Sequence, residues 1–198
     1  MASVLTSIKD KRLAVILGSG SIGVLPTDTL YGLVCIASDV KAVSRLYKIK
    51  SREKKPGTIV ASSIEQLVHL GIKRRYLTAV SQYWPGPISI VVPTDNPDLE
   101  YVDMGVGSLA LRVVADKGLI NLLDQTGPLL TSSANMPGKN PANNMAEVQK
   151  YFGDSVDFYV DGGDFSDRKP STLIKIIDDS IEVLRVGAVK IDNETGRL

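Results

Sequence analysis

Pro26-Thr27-Asp28-Thr29-Leu30-Tyr31-Gly32-Leu33 gathers two hydroxyls, a carboxylate and a phenol between two apolar runs, Ile22 to Leu25 and Leu33 to Ala37. Lys48-Ile49-Lys50-Ser51-Arg52 answers it with three cations. Ammonium and guanidinium groups make charge-assisted hydrogen bonds to phosphate and carboxylate. A polar strand-end loop facing a cationic helix end is therefore a cradle for an anionic small molecule. Pro26 fixes the backbone at the loop, and Gly32 is expected to permit a turn there.

Further along, Ser108-Leu109-Ala110-Leu111-Arg112-Val113-Val114 reads as a strand with Ser108, Ala110 and Arg112 on one face. Ser108 and Arg112 would then lie roughly 13 Å apart, at about 3.3 Å per residue. An arginine among apolar residues is expensive unless paired. Arg112 is either a clamp for a carboxylate or phosphate or half of an internal salt bridge. Thr131-Ser132-Ser133-Ala134-Asn135 is another polar cluster at a strand end, after Pro128-Leu129-Leu130.

The elements that must position these groups alternate in type. Ser7 to Leu17 fits a helix or, over Ala14 to Leu17, a buried strand. Gly18-Ser19-Gly20-Ser21-Ile22-Gly23 matches a dinucleotide fingerprint, with Asp39 downstream. Pro26 follows too soon for the helix that motif needs, so a helix end and turn is the better reading. Asp39 or Ser38 caps a helix from Val40 to about Lys50, with Val40, Val43, Leu46, Tyr47 and either Ile49 or Lys50 inward. Thr58 to Ala61 is a short strand. Ser63 with Gln66 and Asn144 with Glu147 make capping boxes, and Asp116 caps a helix to Gln125. A helix from Lys73 to Tyr83 stops at Trp84-Pro85-Gly86-Pro87, before the strand Ile88 to Val92. Residues 93–107 form a polar loop of the length expected for a lid or a binding loop. Asp157 to Val160, Leu173 to Ile177 and Ile181 to Arg185 are strands, the last two a hairpin.

Composition narrows the class. The chain has 198 residues, 23 Lys+Arg against 22 Asp+Glu, one cysteine and one histidine. Near-neutral charge gives no global pull toward nucleic acid or a membrane, so a cationic site must be local. Cys35 lies in an apolar run and reads as a core residue. His69 has no metal partner at ligand spacing, and Asp161-Gly162-Gly163-Asp164 reads as a turn rather than a metal loop. No signal peptide or spanning segment is visible, so a cytoplasmic location is expected. One domain over residues 1–198 is expected, with no repeats or linkers.

PTDTLYGL, KIKSR, YWPGPISIVV, SLALRVV, SSAN, PSTLIKI and LRVG, in this order, resemble the YrdC-type domain of threonylcarbamoyl-AMP synthases from about residue 10 to 190. The resemblance implies a single-domain α/β fold, YrdC/RibB-like: a twisted mixed parallel and antiparallel sheet flanked by helices, with a concave cationic pocket. It implies formation of L-threonylcarbamoyladenylate and pyrophosphate from L-threonine, bicarbonate and ATP, for t6A modification of ANN-decoding tRNAs. Matched to this sequence, Lys50 and Arg52 are the catalytic pair at the ATP phosphates. Thr27, Thr29, Tyr31, Arg112, Thr131 and Ser171 face threonine, while Ser108, Ser133, Asn135 and Arg185 face ATP. Magnesium is expected to come with ATP rather than to occupy a protein site. Proteins that transfer the threonylcarbamoyl group are expected partners, and tRNA or double-stranded RNA a further one. The alternative is a non-catalytic RNA-binding module using the same basic groove. The chain departs from the pattern at Glu53, where proline is usual, and at Gly57-Thr58, where Pro-Leu is frequent. The substrate-side wall is therefore expected to differ.

Overall fold

A computed structural model describes residues 2–177 and 180–192 of the chain. The strands are β1 Ser3–Leu5, β2 Gly23–Pro26, β3 Tyr31–Ile36, β4 Thr58–Ala61, β5 Ile88–Pro93, β6 Ser108–Val113, β7 Leu129–Ser133, β8 Phe158–Val160, β9 Thr172–Ile177 and β10 Ser180–Arg185. The helices are α1 Arg12–Gly18, α2 Val40–Ile49, α3 Ile64–His69, α4 Arg74–Val80, α5 Glu100–Asp103, α6 Lys117–Thr126 and α7 Met145–Phe152. The strands form one mixed sheet in the order β1-β8-β2-β3-β7-β4-β6-β5-β9-β10. β4 with β6 and β5 with β9 run parallel, while β3 with β7 and β4 with β7 run antiparallel.

Alternation along the strands sends side chains to two faces. Leu33, Ile59, Leu111 and Leu130 belong to the larger core, covered by α2, α3, α4, α5 and α7. Val34, Val60 and Leu129 belong to a smaller core, covered by Leu13 and Leu17 of α1 and by Leu119, Leu122 and Leu123 of α6. Those two helices cover only part of the second face. Beyond them the same face continues as Thr131, Thr58 and Ala110, direct cross-strand partners with small side chains. The uncovered part of the face is where the cleft lies.

Local signals behave as the sequence implies at most helix starts. Asp39 accepts from the Lys41 and Ala42 amides and Asp116 from Leu119; Ser63 and Asn144 accept from the Gln66 and Glu147 amides, while the Gln66 and Glu147 side chains accept from Ser62 and Asn143, one residue before each cap. The glycine-rich stretch after Leu17 ends α1 and feeds β2, with Gly20 at φ +83° donating its amide to the Leu17 carbonyl. It is a helix end, so no dinucleotide helix follows it.

One open choice is settled and three expectations are corrected. Ala14 to Leu17 is helical, because Leu13 and Leu17, four apart, both reach the second core. Val40 is exposed at the first turn of α2, and Ala42 takes the inward place. Residues 93–107 are not an open lid. They hold a 3-10 turn and α5, with Leu99 and Val102 buried in the main core. Gly32 is not in a turn but inside β3, where its need is for space: a Cβ there would stand 2.6 Å from Thr131 Oγ1.

Candidate active site

The loop between β2 and β3 is built by Thr27. Its hydroxyl donates to the Leu30 carbonyl at 2.6 Å and accepts from the Thr29 and Leu30 amides. This turn of the chain is made by the side chain itself. It leaves Thr27 committed to the loop and carries Asp28 and Thr29 toward β6. There Arg112 donates to Asp28 Oδ1 at 2.9 Å, with Nη1 at 3.4 Å from Thr29 Oγ1. Arg112 Nε and Asp28 Oδ2 are buried without partners. Burial pushes the Asp28 carboxyl above its usual range, against the pull of Arg112. Arg112 is thus half of an internal ion pair, as one of the two sequence alternatives has it, and it also lines the cleft.

The cleft holds about 250 Å³ above the small-residue row of the sheet. Three guanidiniums line it, those of Arg52, Arg112 and Arg185, and so do Thr29, Thr131, Ser133 and Ser171. Thr27 and Tyr31 also border it. The Tyr31 hydroxyl is used elsewhere, donating to the Gly163 carbonyl and accepting from the Gly162 amide, with its ring 4.7 Å from that of Phe165. Arg52 is braced by the Lys55 and Pro56 carbonyls and the Ser132 hydroxyl, at 2.8 to 2.9 Å. Burial lowers its pKa, but a guanidinium stays protonated.

Lys50, Ser108 and Asn135 do not line the cleft. Lys50 is buried and its Nζ donates to the Ser133 carbonyl, the Asn135 carbonyl and Asn135 Oδ1. An ammonium has three donors, so all are engaged. Burial first, and Arg52 second, lower its pKa to about 8. Asn135 completes the knot: Ser133 Oγ donates to its Oδ1, and its amide donates to the Met136 and Lys139 carbonyls. Lys50 and Asn135 therefore shape the turn that presents Ser133. Ser108 starts β6 opposite Pro93, one pleat beyond Ala110.

Sequence reasoning missed Ser89, and it flagged Gly57-Thr58 only as a departure in the wall without foreseeing their place in the cleft. Thr58 lines the cleft between Thr131 and Ala110. At Gly57 a Cβ would stand 2.6 Å from the Thr131 carbonyl. Ser89, fully buried, bonds the Ser171 hydroxyl at 2.9 Å. The signal available was the break in the apolar run Ile88 to Val92 at Ser89.

The family model described as "Telomere recombination" (Sua5, YciO, YrdC) matches residues 15–187. The chain belongs to this family. It is 33% identical over 164 residues to a threonylcarbamoyl-AMP synthase of Marinobacter nauticus, covering 80% of this chain and 86% of that one. It is 34% identical over 179 residues to a putative threonylcarbamoyl-AMP synthase of Methanocaldococcus jannaschii, covering 87% and 83%. The structure of P. abyssi Sua5 complexed with L-threonine superposes with a TM-score of 0.80 at 26% identity, over 94% of this chain and 57% of that one. This chain therefore spans little more than half the length of that Sua5. The fold also matches E. coli YciO, at 20% identity, with a TM-score of 0.80 over 96% of this chain. The mixed sheet with helices on both faces is the fold these relatives share. No helix among the described residues is long and apolar enough to cross a membrane.

Proposed function

We propose that this chain is a threonylcarbamoyl-AMP synthase, a nucleotidyltransferase whose product supplies t6A modification of tRNA. The observation that carries the proposal is the meeting of three arginines and a set of hydroxyls in one cleft, in a chain of this family. Two anionic substrates and an anionic leaving group call for such a site. The identity to named synthases and the likeness to a threonine-bound Sua5 support the same reading.

In the reaction, the free threonine amine adds to the carbon of bicarbonate, and the hydroxyl of bicarbonate leaves with an amine proton as water, giving a carbamate. A carbamate oxygen then attacks the α-phosphorus of ATP, and the bond to pyrophosphate breaks. Phosphoryl chemistry of this kind depends on positioning and charge neutralisation rather than on a protein nucleophile. Arg52, held from behind by two carbonyls, presents its remaining donors to phosphate. Arg185 does the same from β10, and Lys50 contributes by fixing the Ser133 turn. Arg112 takes the amino acid carboxylate on the guanidinium edge that Asp28 leaves free. Thr29, Thr58 and Thr131 offer hydroxyls to the substrate between them. Magnesium is proposed to enter with ATP, on phosphate oxygens and water. Among the described residues the cleft lining holds no carboxylate to anchor it, and there is no cluster of three or more metal-ligating side chains. Proteins that pass the threonylcarbamoyl group to tRNA are proposed to act downstream, in the cytoplasm.

The deciding experiment is mass spectrometry of products from ATP, bicarbonate and each amino acid in turn. Threonylcarbamoyl-AMP, with pyrophosphate release requiring both threonine and bicarbonate, is the expected result. Equal ATP hydrolysis without either would overturn the reaction. Tight RNA binding with no turnover would favour the non-catalytic module.

A further inference from the structure

We infer that Ser89 is a positioning residue that turns the Ser171 hydroxyl into a dedicated donor facing the cleft. Ser89 is on β5 and points to the same face as the cleft, opposite Leu173 of β9. It is fully buried, and its hydroxyl meets Ser171 Oγ at 2.9 Å. On the other side Arg185 donates from Nη2 to the same Ser171 Oγ at 3.0 Å, and from Nε to the Ser171 carbonyl at 3.1 Å.

The direction of the Ser89–Ser171 bond follows from what each oxygen can do. A hydroxyl has one proton and two lone pairs. Were Ser171 to donate to Ser89, the Ser89 proton would be left in the sheet interior without an acceptor, which is the costly arrangement. With Ser89 donating, both lone pairs of Ser171 are taken, one by Ser89 and one by Arg185. Its own proton is then free, and the open direction is the cleft that Ser171 lines. A hydroxyl so set can give a hydrogen bond but cannot receive another. The group it meets must be an acceptor. Ser171 stands with Arg185, whose charge is felt at Arg112, so the acceptor sits among guanidiniums and is an anionic oxygen. An ammonium is excluded from that position by the same argument. Resting on the proposed function, the oxygen belongs to the threonine carboxylate, and the amine must lie away from Ser171.

A double-mutant cycle tests this. Pyrophosphate release is measured against threonine at saturating ATP and bicarbonate for wild type, Ser89→Ala, Ser171→Ala and the double variant. Ser89→Ala should raise the threonine KM about tenfold, the scale of one hydrogen bond to a charged group, and hold kcat within about twofold. Ser171→Ala should do the same or more, and adding Ser89→Ala to it should change nothing further. Additive effects of the two substitutions, an unchanged KM in Ser89→Ala, or an equal change in the ATP KM would overturn the relay. If wild type releases no pyrophosphate with threonine, the function fails but the relay remains testable. The four proteins are then titrated calorimetrically with inorganic phosphate, and the same non-additivity in phosphate affinity is required.

Discussion

Arg112 donates through Nη2 to Asp28 Oδ1 at 2.9 Å, and the two side chains are only 4% and 10% exposed. Asp28 does not line the cleft, and Arg112 does. The carboxylate therefore stands behind the guanidinium and holds its Nη2, and the proposed function places a ligand on the side that meets the cleft. Removing one member strands the other as a buried charge. Arg112→Ala is expected to cost about 3–5 kcal/mol of stability, and Asp28→Asn a similar amount. Arg112→Lys keeps the charge but not the planar fork. Its threonine KM should rise at least about tenfold while its ATP KM moves little. Urea melts and separate substrate titrations measure both, and an unchanged threonine KM in Arg112→Lys would remove Arg112 from substrate binding.

Arg52 is proposed to bear on ATP instead. Arg52→Ala loses a charge-assisted contact worth about 1.5–3 kcal/mol, so kcat/KM for ATP should drop by about tenfold or more. Its effect on threonine KM should be small. Because Arg52 also braces the Lys55 and Pro56 carbonyls, hydrogen exchange around residues 53–57 should quicken in the same variant. Normal ATP kinetics in a folded Arg52→Ala protein would refute the phosphate assignment.

Lys50 has a pH signature. Its pKa is lowered to about 8 in the folded chain, from an ordinary value of 10.5. Between those values the unfolded chain binds the extra proton, so folding gains from rising pH. Below about pH 8 the burial of the ammonium is a cost to stability, and above it that cost is relieved. Wild type should therefore gain on Lys50→Met as pH rises from about 8 to 10.5, read from urea midpoints. A constant difference across that window would show that the three oxygens around Nζ fully offset its burial.

Gly32 sets the depth of the cleft floor. A Cβ at this position would stand 2.6 Å from Thr131 Oγ1 and 3.1 Å from Thr27 Cγ2. Gly32→Ala should cost about 1–3 kcal/mol through overpacking, and it should raise threonine KM by displacing Thr131. A crystal structure of the variant with Thr131 unmoved would contradict this.

Much of the fold could be read from local signals. Helix caps at Asp39, Ser63, Asp116 and Asn144 announce themselves through side chains that bond amides two or three residues on. Strand alternation around Arg112 placed it on one face with Ala110. What stayed hidden depends on partners distant in sequence. That Arg112 meets Asp28 is fixed only when β6 joins β4, β7 and β3. Helical spacing allowed Lys50 on the inner face of α2, but nothing local reveals that its ammonium sits among the carbonyls of residues 133 and 135 rather than at a phosphate. The segment 93–107 looked polar and open because its apolar residues Leu99, Tyr101, Val102, Met104 and Val106 are interspersed with acids, prolines and glycines.

The small-residue row that floors the cleft is contributed by segments around positions 32, 58, 110 and 131. No contiguous piece of the chain contains it. Pairing across such separations is slow and all-or-none compared with local structure. A partly folded chain would carry helices but no floor, and hence no site. Loss of ligand affinity and loss of the sheet should then coincide along a denaturant series, and a fragment ending before β7 should bind neither substrate. The amides of β4 and β7 beneath the cleft should exchange only through global opening, which makes them natural reporters of the molecule's full stability.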